Sequence, residues 1–189
     1  MRRVTAALAV AVAVAVPASA LADQPTSTDQ NNAAKECKAL RAAMGKVNFA
    51  NAYGTNENKR NAFGKCVSKK AREEATERSE AASNAAKQCK AEQADPNFAA
   101  AHGGKTFDQF YGTNKNGKNS YGKCVSQKAS ANKQKADEQD KAVVNAAKTC
   151  RAEQKLDPVA FTNKYGTNAN KKNAFGKCVS QKAKAQNGS

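Results

Sequence analysis

A block running from a tyrosine to an alanine recurs three times in this chain without a gap. Tyr53 to Ala71 reads YGTNENKRNAFGKCVSKKA, Tyr111 to Ala129 reads YGTNKNGKNSYGKCVSQKA, and Tyr165 to Ala183 reads YGTNANKKNAFGKCVSQKA. Upstream of each lies a looser match around another cysteine, in AAKECKAL from Ala33, AAKQCKAEQ from Ala85 and AAKTCRAEQ from Ala146. Repetition constrains a fold more than any motif, because a structure that suits one copy has to suit the others. Each copy carries two of the six cysteines. A unit that closes on itself needs no neighbour, so the expected disulfides are Cys37 with Cys66, Cys89 with Cys124, and Cys150 with Cys178. The middle copy is longer, and the excess falls in AAAHGGKT from Ala99, a Gly-containing segment that reads as a surface loop. Zinc would want close cysteine pairs together with histidine. These cysteines are far apart in sequence and His102 lies in the insertion, so neither metal nor cofactor is expected.

The amino terminus explains why the cysteines would be oxidised. Met1, Arg2 and Arg3 precede an apolar run from Val4 to Val16, followed by Pro17, Ala18, Ser19 and Ala20. That order is a secretory signal peptide over residues 1–20, with cleavage after Ala20 or Ala22. The apolar run falls short of the roughly 20 residues a transmembrane helix needs, and no later stretch is apolar enough to span a bilayer. The mature chain is therefore expected to be exported, soluble, and held in a disulfide-permitting compartment. Losing Arg2 and Arg3 takes the 32 basic residues to 30 against 16 acids, a formal charge of +14.

What remains is rich in Ala, Lys, Asn and Gln and has no Trp. Such a chain cannot bury one large core against a backbone-ordering cost of about 1 to 2 kcal/mol per residue. Disulfides supply part of the difference, since closing a loop of about 30 residues is worth roughly 3 to 4 kcal/mol.

Local patterns specify an all-α fold. Each copy should hold a first helix with one cysteine, a short second helix ending at the Tyr-Gly, and a third helix with the other cysteine. Gly54, Gly112 and Gly166 are the expected left-handed residues past a helix end. The Thr and Asn residues behind them form a turn whose side chains can cap the next helix. Asp95-Pro96 and Asp157-Pro158 read as helix starts, while the first copy has Gly45 nearby. On the third helix Phe63, Cys66, Val67 and Lys70 fall at i, i+3, i+4 and i+7, as do Tyr121, Cys124, Val125 and Lys128, and Phe175, Cys178, Val179 and Lys182. This is one narrow apolar stripe, a core rather than a cofactor site. The segments between copies are strong helix formers without Pro or Gly, so the third helix of one copy should continue into the first helix of the next. The expected architecture is an elongated array of three disulfide-closed helical hairpins joined by long helices. Its parts are a disordered lead-in over 21–32, repeats over 33–71, 85–129 and 146–183, helical linkers over 72–84 and 130–145, and a tail over 184–189.

Charge is segregated along the chain. Lys59, Arg60, Lys65, Lys69, Lys70 and Arg72 lie together with no acid among them. So do Lys115, Lys118, Lys123, Lys128, Lys133 and Lys135, and again Lys164, Lys171, Lys172, Lys177, Lys182 and Lys184. The rest of the mature chain holds all the acids and is net negative. A merely solubilising lysine surface would not divide in this way, so a periodic basic surface that meets an anionic polymer is expected: wall polymer, acidic polysaccharide, nucleic acid or anionic membrane. The candidate contacts are the positions basic in every copy: Arg60, Lys118 and Lys172; Lys65, Lys123 and Lys177; Lys70, Lys128 and Lys182. These point in different directions on a helical wheel. The alternative is an extracellular structural or protein-binding array whose charge serves solubility. No nucleophile and base recur together, and Gly-Lys-Cys at 64, 122 and 176 is no phosphate loop, so an enzyme is not expected.

Overall fold

The computed structural model describes residues 24–187. The expected signal peptide and its cleavage site lie outside them. The described residues are helical and contain no strand. The helices are α1 (Ser27–Met44), α2 (Lys46–Tyr53), α3 (Ala62–Ala94), α4 (Phe98–Ala101), α5 (Phe107–Tyr111), α6 (Ser120–Leu156), α7 (Pro158–Tyr165) and α8 (Ala174–Asn187). Cys37–Cys66 ties α1 to α3, Cys89–Cys124 ties α3 to α6, and Cys150–Cys178 ties α6 to α8, each with Cα atoms about 6 Å apart. Three such bonds suit an oxidising compartment outside the cytoplasm. No described helix is long and apolar enough to cross a membrane.

Uninterrupted runs of good helix formers make α3 and α6 long, at 33 and 37 residues, which is about 50 and 55 Å at 1.5 Å per residue. Residues 72–84 and 130–145 lie inside them. The two helices run antiparallel. Lys70 meets Asp140 at 2.9 Å, Asn132 Nδ2 donates to the Ala81 carbonyl at 3.3 Å, and the Tyr121 hydroxyl donates to the Ala86 carbonyl at 3.2 Å. Their buried residues include Ala71, Ala75, Ala81 and Ala85 on α3 and Ala142, Ala146 and Ala147 on α6. An alanine-rich chain cannot build a bulky core, but its short side chains let helices approach closely.

Because α6 returns along α3, the copies are not strung out one after another. The first and third lie side by side and share one core. Leu40, Met44, Phe49 and Cys66 join Ala147, Phe161, Tyr165, Phe175 and Cys178 in a single cluster. The middle copy keeps its own small cluster of Cys89, Phe98, Phe107, Tyr111 and Cys124. This corrects the expected elongated array, and the physical reason lies in α1 and α6. At the third residue past the first cysteine the second and third copies have Glu92 and Glu153, whereas the first has Leu40, which is 1% exposed. That substitution gives α1 an apolar face to set against α6.

Smaller expectations also need correction. The lead-in is ordered from Ser27, because Thr26 and Asp29 form a reciprocal capping box and Asp29 pairs with Arg78 of α3 at 3.2 Å. The tail is helical as far as Asn187. Gly54, Gly112 and Gly166 have φ of −72°, −67° and −75°, so they are not left-handed. Their reason is close approach. A Cβ there would stand 2.7, 2.3 and 2.6 Å from the carbonyl oxygens of Ala50, Asp108 and Thr162. The left-handed residue comes five positions later, at Lys59, Gly117 and Lys171. Asn61 and Asn119 occupy the N-cap positions of α3 and α6 but do not cap them. Each reaches back across the turn, Asn61 Nδ2 donating to Thr55 Oγ1 at 2.8 Å and Asn119 Nδ2 to Thr113 Oγ1 at 2.7 Å, as Asn173 does to Thr167. Asp157 does cap α7, accepting from the backbone N–H of Val159 and Ala160. Asp95-Pro96 instead forms a turn before α4, and the insertion splits the second helix of the middle copy into α4 and α5.

Candidate functional site

Of the nine basic residues selected by position, the structure separates six from three. Arg60, Lys65, Lys118, Lys123, Lys172 and Lys177 are exposed, while Lys70, Lys128 and Lys182 are drawn inward. In the second copy the Lys128 ammonium meets Glu92 at 2.7 Å and the Tyr111 hydroxyl donates to the other oxygen of that carboxylate at 2.8 Å. The third copy repeats this with Lys182 on Glu153 at 2.7 Å and Tyr165 on Glu153 at 2.8 Å. Burial raises the Glu92 carboxyl, but hydrogen bonds from Lys128 and Tyr111 outweigh it and hold the group below its ordinary range. Hydrogen bonds from Lys182 and Tyr165 lower Glu153 likewise. The same contacts raise Lys128 and Lys182. All these groups are thereby fixed in the charge state they already hold near neutral pH. The triad is a strut, the opposite of a poised proton donor.

In the first copy Leu40 replaces the triad glutamate, and Lys70 finds other partners. It meets Glu36 of α1 at 2.6 Å, Glu73 at 3.1 Å and Asp140 of α6 at 2.9 Å. Further along, Lys133 meets Glu74 at 2.9 Å, Glu77 at 3.2 Å and Asp137 at 2.5 Å. Six acids, Glu36, Glu73, Glu74, Glu77, Asp137 and Asp140, are thus gathered where α1, α3 and α6 meet. Glu36, Glu74 and Asp140 lie close enough to share a metal ion, as do Glu74, Glu77 and Asp137, but the Lys70 and Lys133 ammonium groups already contact carboxylates of both sets.

Three carboxylates on one ammonium leave an excess of negative charge, and burial drives the Glu36 carboxyl from 4.5 up to about 7, with Asp140 and Glu73 opposing the pull of Lys70. The folded chain therefore holds this proton where the unfolded chain has lost it. The stabilisation is complete below about pH 4.5 and disappears as the pH rises through about 7. Glu36→Gln should raise the stability at pH 8 by about 1 to 2 kcal/mol once solvent screening is allowed for. It should also flatten the dependence of Tm on pH between 5.5 and 8, which thermal melts across that range would check.

With those six acids drawn to the helix crossing, the structure assembles a basic surface beside it that sequence reasoning missed. α1 and α6 run side by side in the same direction. Arg151 Nη1 donates to the Ala42 carbonyl at 2.8 Å, and Asn48 Nδ2 donates to Gln154 at 2.7 Å. Lys38 and Arg41 are one turn apart on α1, Lys46 opens α2, and Lys148, Arg151 and Lys155 form one stripe on α6. Two adjoining depressions of about 430 and 330 Å³ lie among these six cations, and no acid lines either. Five of the six are exposed and Arg151 is half-buried. The guanidinium of Arg151 packs on Gly45, where a Cβ would come within 2.9 Å of it, so the ridge is anchored at its centre. Sequence counting hid these residues because Glu36 stands beside Lys38, and Glu153 and Asp157 beside Arg151 and Lys155, and acids offset bases in any sum along the chain. Two residues apart on a helix, as Glu36 and Lys38 or Arg151 and Glu153 are, a base and an acid point to opposite sides. Elsewhere Lys172 and Lys177, with Lys69, stand around an open groove of about 620 Å³ between α2 and α8. Comparison of the chain with protein-family models, with curated proteins and with solved structures finds no match.

Proposed function

We propose that this is an exported binding protein for anionic polymers or surfaces, acting through contact rather than catalysis, with the three copies serving as one reused helical hairpin. The observation that carries the reading is the ridge of Lys38, Arg41, Lys46, Lys148, Arg151 and Lys155, six cations on the parallel helices α1 and α6 and the start of α2, with no acid among the lining residues. A like-charged strip of this kind costs self-repulsion in the free protein and is relieved by a polyanion. Arg60, Lys65, Lys118, Lys123, Lys172 and Lys177, exposed on other faces, add weaker distributed attraction, whereas Lys70, Lys128 and Lys182 serve the fold. Export follows from the signal peptide read in the sequence and agrees with the three disulfides.

Changing Lys38, Lys46, Lys148 and Lys155 together to Gln tests the assignment without touching Arg151. With a short duplex DNA as probe, the variant should lose at least a hundredfold in affinity at low salt. Its log–log salt slope should become shallower by about 3 to 4. A triple change of Lys65, Lys123 and Lys177 to Gln should cost far less. Equal losses from the two sets would mean diffuse charge rather than a ridge.

A further inference from the structure

The ridge ends at a corner that a soluble polymer has no use for. Val47 on the first turn of α2, Leu156 at the end of α6 and Val159 on the first turn of α7 are 73%, 86% and 70% exposed. They are three of the five large apolar side chains that stand out of the described surface, and all are aliphatic. The hydrogen bond from Asn48 to Gln154 brings the start of α2 to the end of α6. Val47 follows Lys46 directly, and Leu156 follows Lys155. Cations and exposed aliphatics therefore share one end of the molecule; the one acid between the aliphatics, Asp157, is exposed but turned to the backbone N–H groups of Val159 and Ala160 as the cap of α7.

We propose that the natural partner of this ridge is an anionic lipid bilayer surface, met end-on, with Val47, Leu156 and Val159 entering the headgroup boundary while the lysines and arginines meet lipid phosphates. The proposal rests on the polyanion reading and selects among its ligands. A nucleic acid or acidic polysaccharide would satisfy the cations but leave the aliphatic side chains in water. A bilayer covers both, and peripheral binding of this kind combines buried apolar area with attraction to anionic headgroups. No described helix can span the bilayer, so the attachment is peripheral and reversible by salt.

The test compares the oxidised protein with a Val47→Ser, Leu156→Ser and Val159→Ser variant, whose changes lie at exposed positions and should leave the melting curve unchanged. Two probes are used, vesicles of phosphatidylcholine containing phosphatidylglycerol, and a short duplex DNA. The proposal expects salt-sensitive binding to the vesicles, a loss of tenfold or more in the serine variant, and DNA affinity within about twofold of the parent. Undiminished vesicle binding by the serine variant would overturn it while leaving the polyanion reading standing. Binding to DNA alone would do the same. Failure to bind either probe at low salt would overturn both readings together.

Discussion

Replacing Cys89 and Cys124 with alanine is expected to unfold the middle copy while the first and third copies stay packed together. The bond closes a loop of 35 residues, worth about 4 kcal/mol by chain entropy. What it supports is small. The middle cluster holds five buried residues, Cys89, Phe98, Phe107, Tyr111 and Cys124, and no other copy covers it. Aromatic contacts add what they can: the His102 ring stacks on Phe98 at 3.8 Å and Phe110 meets Tyr111 edge-on at 4.8 Å. These are worth about 1 kcal/mol each, too little to replace the disulfide. Amide exchange should show protection lost over α4, α5 and the facing ends of α3 and α6, with α1, α2, α7 and α8 still protected. Removing Cys37–Cys66, which closes a similar loop of 29 residues, should be milder, because the first copy remains packed against the third. Equal effects of the two deletions would show that the copies are energetically independent.

Phe161→Ala should damage two copies at once. Phe161 is 3% exposed and sits on α7 in the third copy, in the same cluster as Leu40, Met44 and Phe49 of the first. Truncating a buried phenylalanine costs about 3 to 4 kcal/mol, and for a chain of this size Tm should fall by roughly 10 °C. The diagnostic result is its reach: amides of α1 and α2 should lose protection along with those of α7 and α8, while the middle copy keeps its own. Loss confined to the third copy would restore the picture of three self-contained units.

Repetition made the cysteine pairs legible, because the same two blocks appear three times and each pair closes within a copy. Helix propensity made α3 and α6 legible across the joins. The fold-back was harder to read, because comparison of copies emphasises what they share and the decisive residue is one they do not share. Leu40 stands where Glu92 and Glu153 stand, and this was the available signal that the first copy buries a face the others leave to a Tyr–Glu–Lys strut. The same glutamates could have warned that Lys128 and Lys182 are internal. Gly54 was read for its freedom of φ when its role is to let the turn pass a carbonyl oxygen. The basic ridge was invisible for a more general reason: charge summed along a sequence ignores which side of a helix each residue occupies.

The most direct test of the central claim is the affinity of the oxidised protein, produced without residues 1–20, for duplex DNA and for anionic vesicles as a function of salt. A ridge of six cations predicts tight binding at low salt that falls by about a thousandfold or more between roughly 50 and 200 mM. Binding absent at low salt, or present but indifferent to salt, would contradict it.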